Sequence, residues 1–148
     1  MIEQTNQSET EMAGYTELVD VVVIEQAARL IAHSTEPDYA IQSILRLLSQ
    51  LLGLNRGRVL VPDEQNGVLH IRYAYGLTAD EKERGVYSLG EGVSGRVMKT
   101  GQTALIQNID DEPYYLGRAV ARPTLPNETV SYIAVSYTHL TLPTNREV

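Results

Sequence analysis

Tyr87-Ser-Leu-Gly-Glu-Gly-Val-Ser-Gly-Arg-Val-Met-Lys-Thr-Gly101 is the stretch of this 148-residue chain that decides its fold. It contains three closely spaced glycines, and glycine adopts backbone angles that other residues avoid. Apolar residues then recur at helical spacing, at Val93, Val97 and Met98. Lys99 and Gly101 are typical of the last turn and the C-cap of a helix. We therefore expect a glycine-rich loop that leads into a short helix.

The residues after this stretch predict a strand and then an acidic turn. Residues 103–106 have strand character, and residues 108–113, Asn-Ile-Asp-Asp-Glu-Pro, are residue types of turns. The glycines match the spelling G-x-G-x-x-G, but no strand directly precedes them. We therefore reject a dinucleotide-binding loop.

Two helices are predicted near the N-terminus. Residues 1–16 are polar without periodicity, and we expect them to be disordered. Residues 17–34 predict a helix with an apolar stripe formed by Leu18, Val21, Val22, Ala28 and Ile31. The run Val21-Val-Val-Ile24 makes this stripe wider than one helix face needs. A second helix is expected from an N-cap at Asp38 to Leu52, with one apolar face and Gly53 as its end.

Strands are predicted at 58–62 and 68–75, joined by a hairpin at Asn66-Gly67. In the second strand, Leu69, Ile71, Tyr73 and Tyr75 form the expected core face. Thr78 and Glu81 fit a capping box, and the charged residues 80–84 indicate a solvated helix face. Residues 114–128 are irregular and resemble a functional loop, and a last strand is expected at 130–135.

Composition excludes several classes of protein. The chain has no cysteine, so disulfides, thiol catalysis and cysteine-held metals are excluded. The three histidines show no metal spacing, and no nucleophile and base are paired, so we expect neither an enzyme, a metal nor a cofactor. No apolar run is long enough to span a membrane and no signal peptide is recognisable, which favours a cytoplasmic protein.

Charge is unevenly distributed along the chain. Residues 1–28 hold six of the 19 acidic residues and none of the 12 basic ones. The rest of the chain is nearly neutral and offers no basic face, so we expect no direct contact with nucleic acid.

The stretch quoted first, together with Tyr114-Tyr-Leu-Gly-Arg118 and Val130-Ser-Tyr-Ile-Ala-Val135, resembles the signature of GAF domains. The resemblance covers residues 17–135 and extends to the amino-terminal sensor domain of NifA-type, sigma-54-dependent transcriptional activators. It implies an α+β fold of the GAF, PAS-like type: an antiparallel sheet with flanking helices, here truncated before its last strands and closing helix. The missing cysteine excludes the GAF variants that attach a bilin or reduce methionine sulfoxide.

The resemblance implies a regulatory sensor domain that controls a transcription-activating output in nitrogen fixation. The effector would be a small molecule, 2-oxoglutarate-like or a nucleotide, or a regulatory partner protein, and the domain would form a homodimer through helix 17–34. The alternative is a ligand-free dimerisation or interaction module of a histidine kinase or a cyclic-di-nucleotide signalling protein.

The candidate ligand site lies between the sheet and the loops 89–96 and 109–122. For a dicarboxylate, Arg96, Arg118 or Arg122 would be the anchor, because arginine binds carboxylates with two parallel hydrogen bonds. The ligand-binding candidates are Leu89, Gly92, Val93, Arg96, Ile106, Asp110, Tyr115 and Arg118.

The end of the chain breaks the pattern. Residues 136–148, beginning Ser-Tyr-Thr-His-Leu, resemble the translation of sequencing-adapter read-through. We therefore expect this tail to be non-native and exclude it from the domain.

Overall fold

The computed structural model describes residues 2–136; in the first helix, side chains are described at residue 12 and from residue 17 onward. Almost all of the predicted non-native tail, residues 137–148, lies outside the described residues. The chain divides into two compact units, residues 1–59 with 73–76 (the first unit) and residues 60–72 with 77–148 (the second unit). Each unit has its own buried residues.

Two helices dominate the first unit, α1 (Ile2–His33) and α2 (Pro37–Leu52), which pack against each other. Their buried apolar residues are Val23, Ala40, Leu45 and Leu47. We expected residues 1–16 to be disordered, but α1 begins at Ile2. The segment contains no proline and several good helix formers (Glu, Gln, Met, Ala), so nothing in it ends the helix.

The wide apolar stripe of α1 divides into two faces. Val23, one of the four residues that broaden the stripe, is the buried residue. Val21 and Ile24 are 62% and 69% exposed, and Leu18 and Ile31 are exposed as well. Only one face of α1 therefore packs within the first unit.

The start of α2 differs from the prediction. Glu36 is the N-cap, without a side-chain capping bond, and Pro37 opens the helix. Proline suits this position because its fixed φ matches the helix and its missing N–H has no partner there anyway. Asp38 lies in the first turn, where its Oδ1 accepts a hydrogen bond from the Tyr73 hydroxyl. Gly53 ends α2 with a positive φ of 68°, as predicted.

A three-stranded sheet follows, in the order β1 (Gly57–Asp63), β2 (Val68–Tyr75), β3 (Val86–Ser88). β3 directly precedes the glycine-rich loop, where the sequence predicted no strand because the segment is only three residues long. β2 and β3 are antiparallel, with Leu69 opposite Tyr87. Leu69, Ile71 and Tyr87 are buried, which confirms the predicted core face for the first two.

Helix α3 (Ala79–Arg84) begins with the predicted capping box. The Glu81 N–H donates to Thr78 Oγ1 over 3.2 Å, and the Thr78 N–H donates to Glu81 Oε1 over 2.8 Å. Glu81 is therefore buried and is not part of the solvated face that we expected for residues 80–84.

The rest of the second unit contains α4 (Gly92–Thr100) and two short strands, β4 (Ala104–Ile106) and β5 (Tyr132–Ala134). The two strands pair antiparallel and form a separate two-stranded sheet, whereas we expected a single sheet. Strands β3, β4 and β5 have only three residues each. Single 3-10 turns occur at Ile109–Asp111 and Arg122–Thr124. The fold class is α+β, as predicted. Within residues 2–136, no helix has the length and apolar character that crossing a bilayer requires.

Candidate functional site

The glycines before and within α4 allow a loop to pack closely on the helix. A Cβ at Gly95 would fall on the carbonyl oxygen of Ser88, and the Gly90 N–H donates to the Gly95 carbonyl over 2.8 Å. Gly92 has a φ of 64°, and a Cβ there would lie 2.9 Å from Cδ1 of Leu116. The glycines are thus required by packing and by backbone conformation.

Four residues of the second unit, one each from α4, β4, β5 and the loop between the two strands, form what we call the inner cluster: Ser94, Ile106, Tyr115 and Tyr132. Ser94 Oγ lies 3.5 Å from the Tyr132 hydroxyl. The rings of Tyr115 and Tyr132 meet edge to face, with centroids 6.1 Å apart. Ile106 is buried and pairs directly with Tyr132 across β4 and β5. The cluster combines apolar surface with three hydroxyl groups, which suits a small ligand with a few polar groups.

Arg122 fixes the loop at residues 112–131, which we call the arginine-tied loop. Its Nε donates to Asp110 Oδ1 over 2.7 Å and its Nη2 to Oδ2 over 3.1 Å. It also donates to the carbonyls of Pro126 and Glu128. The hydrogen bond from Arg122 lowers the pKa of Asp110 below its ordinary value of 3.8, and Asp110 in turn raises the pKa of Arg122.

Two further arginines hold the same loop. Arg118 donates to the Val86 carbonyl over 2.6 Å, pairs with Glu91 Oε1, and has its guanidinium carbon 5.2 Å from the centroid of the Tyr87 ring. Arg84, on α3, donates to the Ala119 carbonyl over 2.9 Å. Ala119 and Val120 are buried, so the loop packs as an ordered segment of the second unit.

The structure separates the predicted site residues into three groups. Ile106 and Tyr115 belong to the inner cluster, and Val93 is buried on α4. Leu89 is 59% exposed, and Arg96 is exposed with its guanidinium carbon 3.7 Å from the centroid of the Tyr114 ring. The remaining candidates have structural contacts of their own: Gly92 with Leu116, Asp110 with Arg122, and Arg118 with Glu91.

Sequence reasoning missed Ser94 and Tyr132. Both residues carry a hydroxyl group and lie in a helix or strand that was correctly predicted. The sequence contained no other indication that they belong to a site. Because they lie 38 positions apart, only the fold shows that they meet.

The first unit contains a groove of its own, with a volume of about 610 Å³. It lies where α1 ends and α2 begins, and none of the predicted site residues lines it. The residues that line the groove are Gln26, Arg29, Leu30, His33, Ser34, Thr35, Glu36 and Tyr39.

Among residues 2–136, no three His, Asp or Glu side chains are arranged to hold a metal ion.

Comparison with known proteins gives consistent results. The family model described as GAF domain matches residues 36–141. The chain is 30% identical to the Nif-specific regulatory protein of Azospirillum lipoferum over 84% of its length, and 33% identical to the nitrogen fixation protein VnfA of Azotobacter vinelandii over 68%. It spans only about one fifth of the length of these relatives, 20% and 19%.

Among solved structures, the GAF domain of A. aeolicus nlh2, in an inactive state, is similar, with a TM-score of 0.62 and 18% identity. The similarity covers 69% of this chain and 60% of that one. At this level of identity the comparison supports the fold.

Proposed function

The chain belongs to the GAF domain family, and on that premise we propose that it is a cytoplasmic regulatory sensor domain without enzymatic activity. It would bind a small molecule or a partner protein and thereby control a transcription-activating output domain in the regulation of nitrogen fixation. The relatives support control of nitrogen fixation, since one is named a Nif-specific regulatory protein and the other a nitrogen fixation protein. Contact with DNA would belong to another domain. We propose residues 17–135 as the extent of the sensor domain.

The inner cluster is the observation that carries the proposal. It brings the half-buried Ser94 and Tyr132 hydroxyls within 3.5 Å of each other and the Tyr115 ring against that of Tyr132, next to a loop held by three arginines. An effector bound there would change the contacts of that loop, and a sensor needs such a difference in binding between two states.

The effector would be 2-oxoglutarate-like or a nucleotide, bound first by the hydroxyls of the inner cluster. Arg118 and Arg122 are already paired with Glu91 and Asp110. A dicarboxylate anchored by either arginine would therefore replace a carboxylate of the chain itself, which couples ligand binding to the arginine-tied loop.

Calorimetric titration of the 148-residue chain with 2-oxoglutarate, and separately with ATP, tests this proposal. We expect saturable, stoichiometric binding of one of the two. Tyr132→Phe should weaken it by about two- to tenfold, because one hydrogen bond contributes about 0.5–1.5 kcal/mol. Tyr39→Phe, an exposed position on α2, is the matched control and should leave binding unchanged. Binding that is insensitive to Tyr132→Phe would place the effector elsewhere.

Dimerisation through α1 is the second part of the proposal. Leu18, Val21, Ile24 and Ile31 are large apolar side chains that are exposed in a single copy of the chain. A contiguous apolar surface of this kind is typical of interaction sites. We therefore propose a homodimer in which this face of α1 is buried.

The same face supports the alternative, a ligand-free interaction module. In that case the chain would associate in a concentration-dependent manner in sedimentation velocity, and neither 2-oxoglutarate nor ATP would bind or alter the association. A ligand-dependent change in association would favour the sensor.

A further inference from the structure

A second exposed surface lies on the second unit, and we call it the α4 surface: Leu89, Arg96, Lys99, Tyr114 and Leu116. Leu89 is 59% exposed, Leu116 48% and Tyr114 46%. Leu116 lies over Gly92, Tyr114 lies under the Arg96 guanidinium, and the stem of Lys99 lies 3.3 Å from the Cβ position of Gly90. Arg96, Lys99, Tyr114 and Leu116 thus lie at α4 and the loop before it, and Leu89 is an exposed residue of that same loop.

The α4 surface carries two cations with no carboxylate partner. Within the part of the chain that the structure describes, neither Arg96 nor Lys99 forms an ion pair. Of the nearby acids, Glu91 is paired with Arg118, and Glu112 accepts a hydrogen bond from the Tyr114 N–H. Tyrosine and arginine, present here as Tyr114 and Arg96, are enriched at protein-binding surfaces.

The outer face of α1, defined here as Glu17, Asp20, Val21 and Ile24, has the opposite charge. All four residues are exposed, and the two acids form no ion pair with any described side chain. The first 28 residues contain no lysine or arginine that would neutralise them. The outer face of α1 and the α4 surface are therefore complementary in both charge and apolar content.

Parallel, in-register pairing of α1 with itself is less favourable. Val21, Ile24, Ala28 and Ile31 are spaced as a and d positions of a heptad, which places Glu17 at the preceding d position. In such a pair Glu17 would face Glu17 of the other copy, which is a contact between like charges. Asp20 would face Glu25, whose carboxylate is already paired with Arg29 over 2.8 Å. The α4 surface instead offers two cations to these acids.

We propose that the outer face of α1 in one copy binds the α4 surface of a second copy of this chain. This inference rests on the proposed dimerisation through α1 and specifies what α1 contacts. Val21 and Ile24 would cover Leu89 and Leu116, while Glu17 and Asp20 would face Arg96 and Lys99.

Charge exchange tests the pairing on the whole 148-residue chain by sedimentation velocity over a range of concentrations. Arg96→Glu with Lys99→Glu should raise the dimer dissociation constant at least about tenfold, because close opposite charges become like charges. Adding Glu17→Lys and Asp20→Lys to that variant should restore dimerisation to within about threefold of the wild type. Lys82→Glu, on the exposed side of α3, is the control and should have no effect.

The other outcomes are distinguishable. If Ile24→Glu breaks the dimer but the α4 substitutions do not, dimerisation through α1 stands and the α4 surface is overturned as its partner. Loss of dimerisation that the exchanged variant does not restore also overturns the pairing. If neither Ile24→Glu nor the α4 substitutions change the dimer, or if the wild type stays monomeric, the proposed dimerisation itself fails. Circular dichroism of each variant establishes that the fold is retained.

Discussion

At the scale of single residues, the glycines around α4 differ in what they tolerate. A Cβ at Gly95 would lie only 2.3 Å from the Ser88 carbonyl oxygen, whereas one at Gly101 would lie in open space, and only the φ of 71° disfavours a side chain there. Backbone atoms cannot move aside as the end of a flexible side chain can. Gly95 is therefore the position where packing permits no side chain.

We predict that Gly95→Ala lowers the free energy of unfolding by about 3 kcal/mol or more, because the new methyl group overlaps Ser88. Gly101→Ala should cost about 1–2 kcal/mol, the cost of a left-handed conformation for a residue with a side chain. Urea unfolding followed by circular dichroism measures both values. Gly14→Ala, in α1 with open space around it, is the control and should not destabilise. Equal losses at Gly95 and Gly101 would contradict the packing argument.

Asp110 and Arg122 make stability depend on pH in the acid range. The pKa of Asp110 is lowered in the folded state, so its contribution is complete above the ordinary value of 3.8 and is lost as pH falls through the lower folded pKa. We predict that Asp110→Asn flattens the decrease in stability below about pH 4. Urea unfolding at several pH values measures the decrease.

Asp111→Asn is the matched control for this pH dependence, since the Asp111 carboxylate accepts from Asn108 and not from an arginine. An unchanged acid profile in Asp110→Asn would show that the ion pair with Arg122 does not contribute.

At the scale of secondary structure, the capping box decides where α3 begins. α3 has only six residues, so its two capping hydrogen bonds are a large share of the hydrogen bonds that stabilise the helix. We predict that Thr78→Ala lowers the free energy of unfolding by about 1 kcal/mol. Glu81→Ala should cost at least as much, because Glu81 is also buried. Asp80→Ala, in the same turn but exposed, should have a smaller effect in the same urea unfolding measurement.

At the scale of the whole molecule, the two faces of α1 have different roles: one packs within the folded chain, and the other is the proposed dimer contact. Val23 is buried against the first unit, whereas Ile24, the next residue, is 69% exposed. We predict that Val23→Glu unfolds the chain, because it buries an unpaired charge. Ile24→Glu should leave the monomer folded and abolish the rise of the thermal midpoint with protein concentration.

Differential scanning calorimetry at two protein concentrations measures both effects of these α1 substitutions. A wild-type midpoint that does not depend on concentration would contradict association through this face.

The sequence by itself determined the local structure of this protein. The Gly53 cap, the hairpin at Asn66-Gly67, the capping box of Thr78 and Glu81, and the loop and helix up to Gly101 were all predicted. Each depends on residues a few positions apart, so propensity and spacing suffice to predict it. The family resemblance was readable for the same reason, since its signature consists of short continuous stretches.

Only the tertiary structure decided which side chains meet. Ser94 and Tyr132 are 38 positions apart, Arg118 and Glu91 are 27 apart, and Arg122 reaches Asp110 across 12. Which face of α1 is buried, and that Leu89 and Arg96 lie on the surface, depends equally on the packing of distant elements. Local propensity contains no information about such contacts, because they depend on how loops close and elements pack.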